Sequence, residues 1–577
     1  MRTLTRRWSQ SPALQNLFLS NFKRTYGKDL YGENKKGDAD PADAVPLSLK
    51  PDGRNAGNIG AGDSSLAAEA CDGMEIELKL AVDTQALPEL KRALRGMAGN
   101  RESRSRLVST YYDTPDFLLR RNDMTLRIRR QRGGLIQTIK AEANGAGALA
   151  RHEWEDEVAK PEPDPSASHA VGKLPGGLAA DDLRPIFTTD VDRTTIDLQP
   201  APDTNIEVAV DEGEIRAGDG EKEDISEIEL ELKCGDVQIL YDVALQLAAV
   251  SLVRIGALTK AERGYLLSGA QDAPAAVSMS PLPLKKKMTV EQVIRQVGRQ
   301  CLAHIIRNEP AALVGEPEGV HQMRVGARRL RSFLSAAKPM LPPEAYREVS
   351  DELKWLGSVL GDARSWDVFS SDLLPPVREV NGGNRSIAYL AGATRRARRL
   401  AHRSVEDAIR SERYTRTLLK LGRWFEACGW RNQPVSEKSI RLLSSIGAEA
   451  PRIMKRPWRQ VRKRSRGFAE LDAPARHKLR IAVKKMRYTS EFLGSLFDER
   501  RLKSFTKTLK PLQNDLGHVN DVRTAHRLIE KIDADDAGKS DGEARGMVFG
   551  WYDHGLARRE AKLRKHVRKL RRADTFW

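Results

Sequence analysis

Hydrophobic and polar residues alternate one by one in short runs from residue 74 to about 234, then recur every three to four residues from about 285 onward. The chain therefore changes from strand-like to helix-like patterning near its middle. The alternating runs at 125–130, 135–140, 150–158, 194–198, 205–210 and 225–234 are bounded by Gly, Pro and Asp clusters and predict an antiparallel sheet. Helical spacing at 84–97 and 237–252 predicts two helices beside it. Two runs share one acidic pattern, Glu75-Ile-Glu77-Leu-Lys79 and Glu227-Ile-Glu229-Leu-Glu231-Leu-Lys233. Side chains alternate across a strand, so each run puts its carboxylates and final lysine on one face and its Ile and Leu on the other.

The helical half repeats itself. At a constant offset of 156, His321, Arg324, Arg331, Leu353, Lys354, Leu356, Leu360 and Gly361 recur as His477, Arg480, Arg487, Leu509, Lys510, Leu512, Leu516 and Gly517, while Arg328 and Arg329 meet Lys484 and Lys485. Eight identities in one ungapped register exceed chance and predict two copies of one helical bundle. In each copy a His, an Arg three residues on and a base seven residues on share a helical face. The copies differ downstream, where Asn520-Asp521 of the second answers to Arg364-Ser365 of the first. The first copy thus lacks an acid beside Arg364, and the sequence leaves open whether Asp367 replaces it.

Residues 25–73 are rich in Gly, Asp, Asn, Pro and Ser, which predicts a disordered extension over 1–73. Met74 directly precedes the first acidic strand, so it is the expected start of the translated protein. Domains are expected at 74–271 and 285–573, with a Pro/Ala/Ser linker at 272–284. Net charge is +1 for 1–73, −10 for 74–271 and +27 for 272–577, making up the +18 of the whole chain. The basicity of the helical half implies a polyanionic partner. Cys71, Cys234, Cys301 and Cys428 have no C-x-x-C spacing, so neither a disulfide framework nor a zinc site is expected. The most apolar segment, 243–258, is interrupted by Gln246 and Arg254 and is too short to span a bilayer, and residues 1–24 lack a signal peptide's apolar stretch. A cytoplasmic protein is expected.

Like charges stacked on a strand repel, so the acidic runs point to a cation, and hard divalent ions take carboxylate oxygens. A solvated outer sheet face would give the same pattern, but basic residues alternate as well. Arg127 and Arg129 share a strand face, Lys140 ends the next strand, and Arg151, Glu153 and Glu155 share a face of the one after. Such faces cannot converge on an apolar core, because unpaired buried charges cost several kcal/mol each. A closed sheet with a charged lumen accommodates them if the lumen holds an anion and its metal ions. Glu75, Glu77, Glu229 and Glu231 would hold Mg²⁺ or Mn²⁺ while Arg and Lys clamp phosphate oxygens, an arrangement suited to breaking a phosphoanhydride.

These motifs, with Tyr111-Tyr112-Asp113-Thr114 and Lys260-Ala-Glu-Arg263-Gly-Tyr265, resemble the CYTH family, the triphosphate tunnel metalloenzymes, from residue 74 to about 269. The resemblance implies a tunnel of antiparallel strands acting on triphosphates with divalent metal. It implies catalytic roles for Glu75, Glu77 and Lys79, and metal association for Glu75, Glu77, Glu227, Glu229 and Glu231, with Glu153 and Glu155 as further candidates. Phosphate contacts are implied for Lys79, Arg127, Arg129, Lys140, Arg151, Arg193, Lys233, Lys260 and Arg263. The helical repeats resemble the CHAD domain over about 285–573, which implies polyphosphate binding by His321, Arg324, Arg328, Arg331, His477, Arg480, Lys484 and Arg487. The expected protein is a multidomain one, an antiparallel β-barrel followed by an all-α double helical bundle. Its expected activity is inorganic triphosphate hydrolysis to phosphate and pyrophosphate, with polyphosphate as partner, association with polyphosphate granules, and no nucleic acid. An adenylate cyclase, a thiamine or nucleoside triphosphatase, and a non-enzymatic polyphosphate-binding protein are the alternatives.

Overall fold

Alternation in the first half closes a barrel. The computed structural model describes residues 74–577 apart from 99–101, 132–133, 143–149, 167, 177, 219, 271–272, 432–435 and 536–541. The expected extension over 1–73 lies outside the described residues. Strands β1 (Met74–Val82), β2 (Glu102–Asp113), β3 (Met124–Gln131), β4 (Gly134–Glu142), β5 (Ala150–Val158), β6 (Arg184–Ala201), β7 (Thr204–Ala217), β8 (Lys222–Cys234) and β9 (Val253–Ile255) form one sheet. Its order is β5-β4-β3-β2-β6-β7-β8-β1-β9, and β5 also pairs with β1, which joins the sheet into a ring. The described pairings are antiparallel.

The barrel is apolar on its outside. Ile76, Leu78 and Leu80 of β1 and Ile228, Leu230 and Leu232 of β8 are buried against helices α1 (Leu87–Ala98) and α3 (Gln238–Val250). A fully buried Leu or Ile contributes about 1.5–3 kcal/mol, so this outer layer, and not the lumen, holds the sheet. Short α2 (Leu118–Arg121) and α4 (Lys260–Leu267) are tied together through Asp113. Its carboxylate accepts the backbone N–H groups of Leu119 (2.8 Å) and Arg120 (2.9 Å) and the Tyr265 hydroxyl (2.9 Å). The Tyr111–Thr114 and Lys260–Tyr265 motifs therefore meet in space.

Strands 125–130, 135–140 and 150–158 fall where the alternation puts them, whereas β6 and β7 run well past the expected 194–198 and 205–210. Strand β2 is missing from the sequence-based assignment. Its first half, Glu102 to Arg106, is exposed at every position and so carries no two-residue hydrophobic period.

Beyond the barrel lie α5 (Val290–Arg307), α6 (Glu309–Leu313), α7 (Pro317–Ala337), α8 (Pro343–Val368), α9 (Leu374–Val380), α10 (Arg385–Ile409), α11 (Glu412–Glu426), α12 (Ile446–Arg464), α13 (Ala473–Leu493), α14 (Glu499–Asp535) and α15 (Glu543–Arg571). The repeat is visible in the helix boundaries: α13 starts and ends 156 residues after α7, and α14 starts 156 after α8. Segment 273–284 is a strap rather than a free tether. Val277 and Asn308 exchange hydrogen bonds (2.9 and 3.0 Å), Gln300 donates to the Ser280 carbonyl (2.7 Å), and Leu282 and Leu284 are buried. Barrel and bundle share one core, with Tyr241 of α3 against Gly422 of α11, where a Cβ would lie 2.2 Å from the ring. Asp242 and Arg423 pair beside it.

Candidate active site and a basic helical cavity

Strand register brings the two acidic runs side by side. In the β1–β8 ladder Glu77 lies opposite Glu231 and Lys79 opposite Glu229, and in the β7–β8 ladder Glu207 lies opposite Glu231 and Asp211 opposite Glu227. Arg193 faces Asp211, Arg127 faces Tyr111, and Lys140 faces Glu153 on further strand pairs. These side chains enclose a cavity of about 480 Å³ lined, among the described residues, by seven basic and seven acidic ones. The lumen is thus nearly neutral in itself.

One wall is a knot of ion pairs. Asp211, Glu227 and Glu229 offer carboxylate oxygens within 4.8 Å of one another. Lys260 Nζ sits among them, 2.6 Å from Asp211 and 3.0 Å from Glu229, and also pairs with Glu227. Arg193 donates to Asp211 through two nitrogens (2.8 and 2.6 Å) and to Glu229 (2.6 Å), and Lys79 pairs with Glu77 (3.0 Å) and with Glu229. Burial opposes charge on Glu229, yet Lys260, Lys79 and Arg193 outweigh it and hold its carboxyl well below the usual range. Burial likewise opposes charge on Lys79, and Glu229 and Glu77 overcome it and raise its pKa.

The other wall is less matched. Glu153 meets Lys140 (2.8 Å) and Arg127 (3.6 Å), and Glu155 accepts from Thr138 (3.3 Å). Among the described residues Arg129 donates only to the Ser109 hydroxyl (3.1 Å), and burial and then Arg127 push its pKa down to about 10. Tyr111 lies between, its ring stacked on Phe187 at a centroid distance of 4.5 Å. Burial alone would raise its phenol, but Arg127, Arg129 and Lys260 hold it below its ordinary value.

Of the residues expected in the lumen, Glu77, Lys79, Arg127, Arg129, Lys140, Glu153, Glu155, Arg193, Glu229, Glu231, Lys233 and Lys260 line the cavity. Lys233 stands at its more exposed end with Glu231 (2.8 Å). Glu227 is buried behind the lining, bonded to Lys260. Arg263 departs from its expected place. It lies off the lining, donating to Glu223 (2.7 Å), to the Asp224 carbonyl and at 3.5 Å to Glu227, because α4 aims it at the first half of β8. The side chains of Glu75 and Arg151 lie outside the described residues; their backbones pair in the β1–β5 closure. Asp211 and Tyr111 were not singled out as lumen groups. Asp211 ends a stretch of β7 buried on both faces, where alternation gives no signal. Tyr111 follows from register with Arg127, whereas Tyr112 faces the other side and donates to the Pro161 carbonyl (2.9 Å).

In the bundle, a second cavity of about 370 Å³ opens between α7, α13 and α14, lined by His321, Arg328, Arg329, Lys484, Arg487 and Tyr488, among others. Arg328 stacks over Tyr488 (5.2 Å). Here Glu491 of the lining takes Arg329 (2.8 Å) and Arg487 (2.6 Å), and Arg328 and Lys484 have no carboxylate partner among the described residues. Burial, then Arg480 and Arg328, push Lys484 down to about 7, and burial, then Arg328 and Arg480, push Arg324 down to about 10. Arg324 lies against Gly361, where a Cβ would come 2.3 Å from its Nη1. Among the described residues His321 Nδ1 is buried without a partner, while His477 Nδ1 meets Asn520 (3.1 Å). Asp367 does not stand in for the missing acid: Arg398 Nε donates to it (2.7 Å) and His402 contacts it (2.8 Å), so it serves α10. Arg331 is exposed, outside this cavity.

Fold and lumen define a charged tunnel of antiparallel strands fused to a duplicated helical bundle. The chain carries a CYTH domain, matched by the family model over residues 73–265, followed by a CHAD domain over 296–530. An inorganic triphosphatase of Haemophilus influenzae is 38% identical over 201 residues, 34% of this chain and 56% of that protein. An uncharacterized protein of Mycobacterium tuberculosis is 28% identical over 319 residues, 52% of this chain and 57% of its own length. The chain thus spans little more than half the length of these curated relatives. The crystal structure of the CHAD domain from Ricinus communis aligns with a TM-score of 0.46 at 28% identity, covering 52% of this chain and 99% of that one. Among the described residues no helix is long and apolar enough to cross a membrane.

Proposed function

We propose that the barrel hydrolyses inorganic triphosphate to phosphate and pyrophosphate with divalent metal, and that the bundle binds polyphosphate. The observation that carries this reading is the balanced lumen, seven basic against seven acidic side chains around about 480 Å³. A multiply charged triphosphate entering a neutral lumen must bring cations with it. The Asp211, Glu227 and Glu229 carboxylates are a hard-oxygen donor set suited to Mg²⁺ or Mn²⁺. These three carboxylates would hold the ion, and Lys260, which pairs with all three, would then be free to take phosphate oxygens. A bound ion would offset charge on the phosphoryl oxygens as the P–O bond breaks.

Arg129, bonded only to a hydroxyl, is the guanidinium readiest to take phosphate, with Arg127 and Lys140 beside it. Tyr111 is the aromatic residue of the cavity lining, and Phe187 already covers one face of its ring, so the lumen offers little for a nucleobase to stack on. That supports a substrate that is phosphate throughout over the cyclase and nucleoside triphosphatase readings. A cytoplasmic setting, with granule association through the bundle, accompanies this function.

The test is phosphate release from tripolyphosphate, ATP and thiamine triphosphate with Mg²⁺ or Mn²⁺, by the protein and by Glu77→Ala. Fast, tripolyphosphate-selective release lost in the variant is the expected result. Release from ATP or thiamine triphosphate at equal rates overturns the selectivity, and no release from any substrate overturns the enzyme reading.

A further inference from the structure

Arg480, Lys484 and Tyr488 follow one another at four-residue spacing on α13, so they share one helical face. Arg324 and Arg328 do the same on α7, and the Arg328 guanidinium lies over the Tyr488 ring at 5.2 Å. The Lys484 amine therefore stands between an arginine of its own helix and the arginines of α7, in the wall of the cavity of about 370 Å³.

That amine is unlike the other lysines of the protein's charged clusters. Lys79 and Lys260 of the barrel are bound to carboxylates, and Lys485 donates to the Ser335 hydroxyl (2.9 Å). Among the described residues Lys484 has no hydrogen-bond or ion-pair partner. Burial, then Arg480 and Arg328, disfavour its charge, with Arg324 adding to them and Asp521 opposing them. Its lone pair is consequently available at neutral pH and above, which is what makes a buried lysine a nucleophile.

The groups around it want an acceptor. Arg328 Nε and Arg480 Nε are buried without partners among the described residues, and so is the side-chain oxygen of Gln513, which lines the same cavity from α14. A buried polar group left unmet costs about 1–3 kcal/mol. A small carboxylate carried on an N–H would meet both kinds of orphan.

We propose that Lys484 is a carbamylation site, at which the amine takes up carbon dioxide and the new carboxylate closes onto Arg328 and Arg480. The nitrogen attacks the carbon of CO₂, an N–C bond forms as one C–O π bond opens onto oxygen, and a proton leaves the nitrogen for water. Nothing is oxidised or reduced. Guanidinium contacts to the carboxylate hold the carbamate against loss of CO₂, and its remaining N–H can donate to Gln513. The modification itself is independent of what the cavity binds, whereas its consequence rests on the reading that the bundle binds polyphosphate. The carbamate occupies the N–H groups that phosphate oxygens would take, so carbon dioxide weakens polyphosphate binding.

The full chain is incubated with isotope-labelled bicarbonate at pH 8, treated with triethyloxonium ion to fix carbamates as ethyl esters, and digested for mass spectrometry. Lys484 is expected to carry the label, and exposed Lys503, paired with Glu499 at 2.6 Å, to carry none. Polyphosphate binding in EDTA at constant ionic strength is expected to weaken about tenfold in bicarbonate, the worth of one charged hydrogen bond. Lys484→Arg keeps the cation without a free amine, and its binding is expected to ignore bicarbonate. Absence of label at Lys484, or equal label at Lys503, overturns the site. Equal weakening of both proteins makes bicarbonate an ordinary competing anion and overturns the placement of the carbamate on the arginines, as does label at Lys484 with unchanged affinity. Label at Lys484 in a protein that binds no polyphosphate upholds the site and overturns the polyphosphate reading alone.

Discussion

The tunnel and the helical cavity face anions with opposite electrostatic preparations. In the tunnel nearly every cation already has a carboxylate, as with Arg193 on Asp211 and Glu229 and Lys260 among three acids. At the helical cavity Arg324, Arg480 and Lys484 crowd around Arg328, and Asp521 is the nearby acid that favours charge on Arg480 and Lys484. A prepaired lumen binds an anion only by exchanging partners or by recruiting a metal, which is what a site for bond breaking needs. An unpaired cluster gains from any anion that enters, with or without metal, which is what a holding site needs.

The largest effect expected from this contrast is on Glu229. It links Lys79, Arg193 and Lys260, so Glu229→Ala should lower triphosphate hydrolysis by at least about 10²–10³-fold, the usual cost of removing a group that organises transition-state charge. Polyphosphate binding by the bundle should remain, and EDTA should reproduce both results in the unmodified protein. A parallel loss of binding in Glu229→Ala would mean that the tunnel, not the bundle, holds the chain.

A smaller effect separates two arginines of the same lumen. Among the described residues Arg129 has a single hydroxyl partner, whereas Arg193 carries two carboxylates. Arg129→Met should cost about 10–100-fold in kcat/KM and leave stability unchanged or raised, since it removes a buried unpaired charge. Arg193→Met takes one of two cations from Asp211 and one of three from Glu229, and should lower stability by about 1–3 kcal/mol, read from urea midpoints. Equal destabilisation by both would erase the distinction between paired and unpaired cations.

Much of this was legible in the sequence because period-two alternation survives wherever one strand face is packed and the other lines the lumen. Ile76 to Leu80 and Ile228 to Leu232 show it cleanly, and from them the charged interior follows. Asp211 escaped because residues 208–211 are buried on both faces, and β2 escaped because residues 102–106 are buried on neither. The repeat offset carried through to helix boundaries, since an ungapped duplication preserves every turn. What the sequence could not show is which charges meet. Arg263 turns to the first half of β8 and Asp367 to Arg398 and His402, choices set by helix packing between segments far apart in the chain.

The smallest expected effect tests the cavity through pH. Lys484 titrates near 7 in the folded bundle against an ordinary value of 10.5, because burial and then Arg480 and Arg328 disfavour its charge. Between those values the unfolded chain carries a proton that the folded chain lacks, so stability contributed at this position rises with pH from about 7 to about 10.5. Below 7 both states are protonated and the full penalty of the crowded ammonium is present. Lys79 in the tunnel behaves oppositely: its raised pKa gives stability that is constant below 10.5 and fades only as pH climbs through the raised value. Lys484→Met should therefore be more stable than the unmodified protein at pH 6, and the gap should close by about 1–2 kcal/mol by pH 9. Urea unfolding at the two pH values measures it. Saturating polyphosphate should stabilise the unmodified protein more at pH 6 than at pH 9, because at the lower pH every cation in the cavity is charged. A gap that widens with pH would show that Lys484 already has a counterion, and the contrast between the two cavities would fail at its most sensitive group.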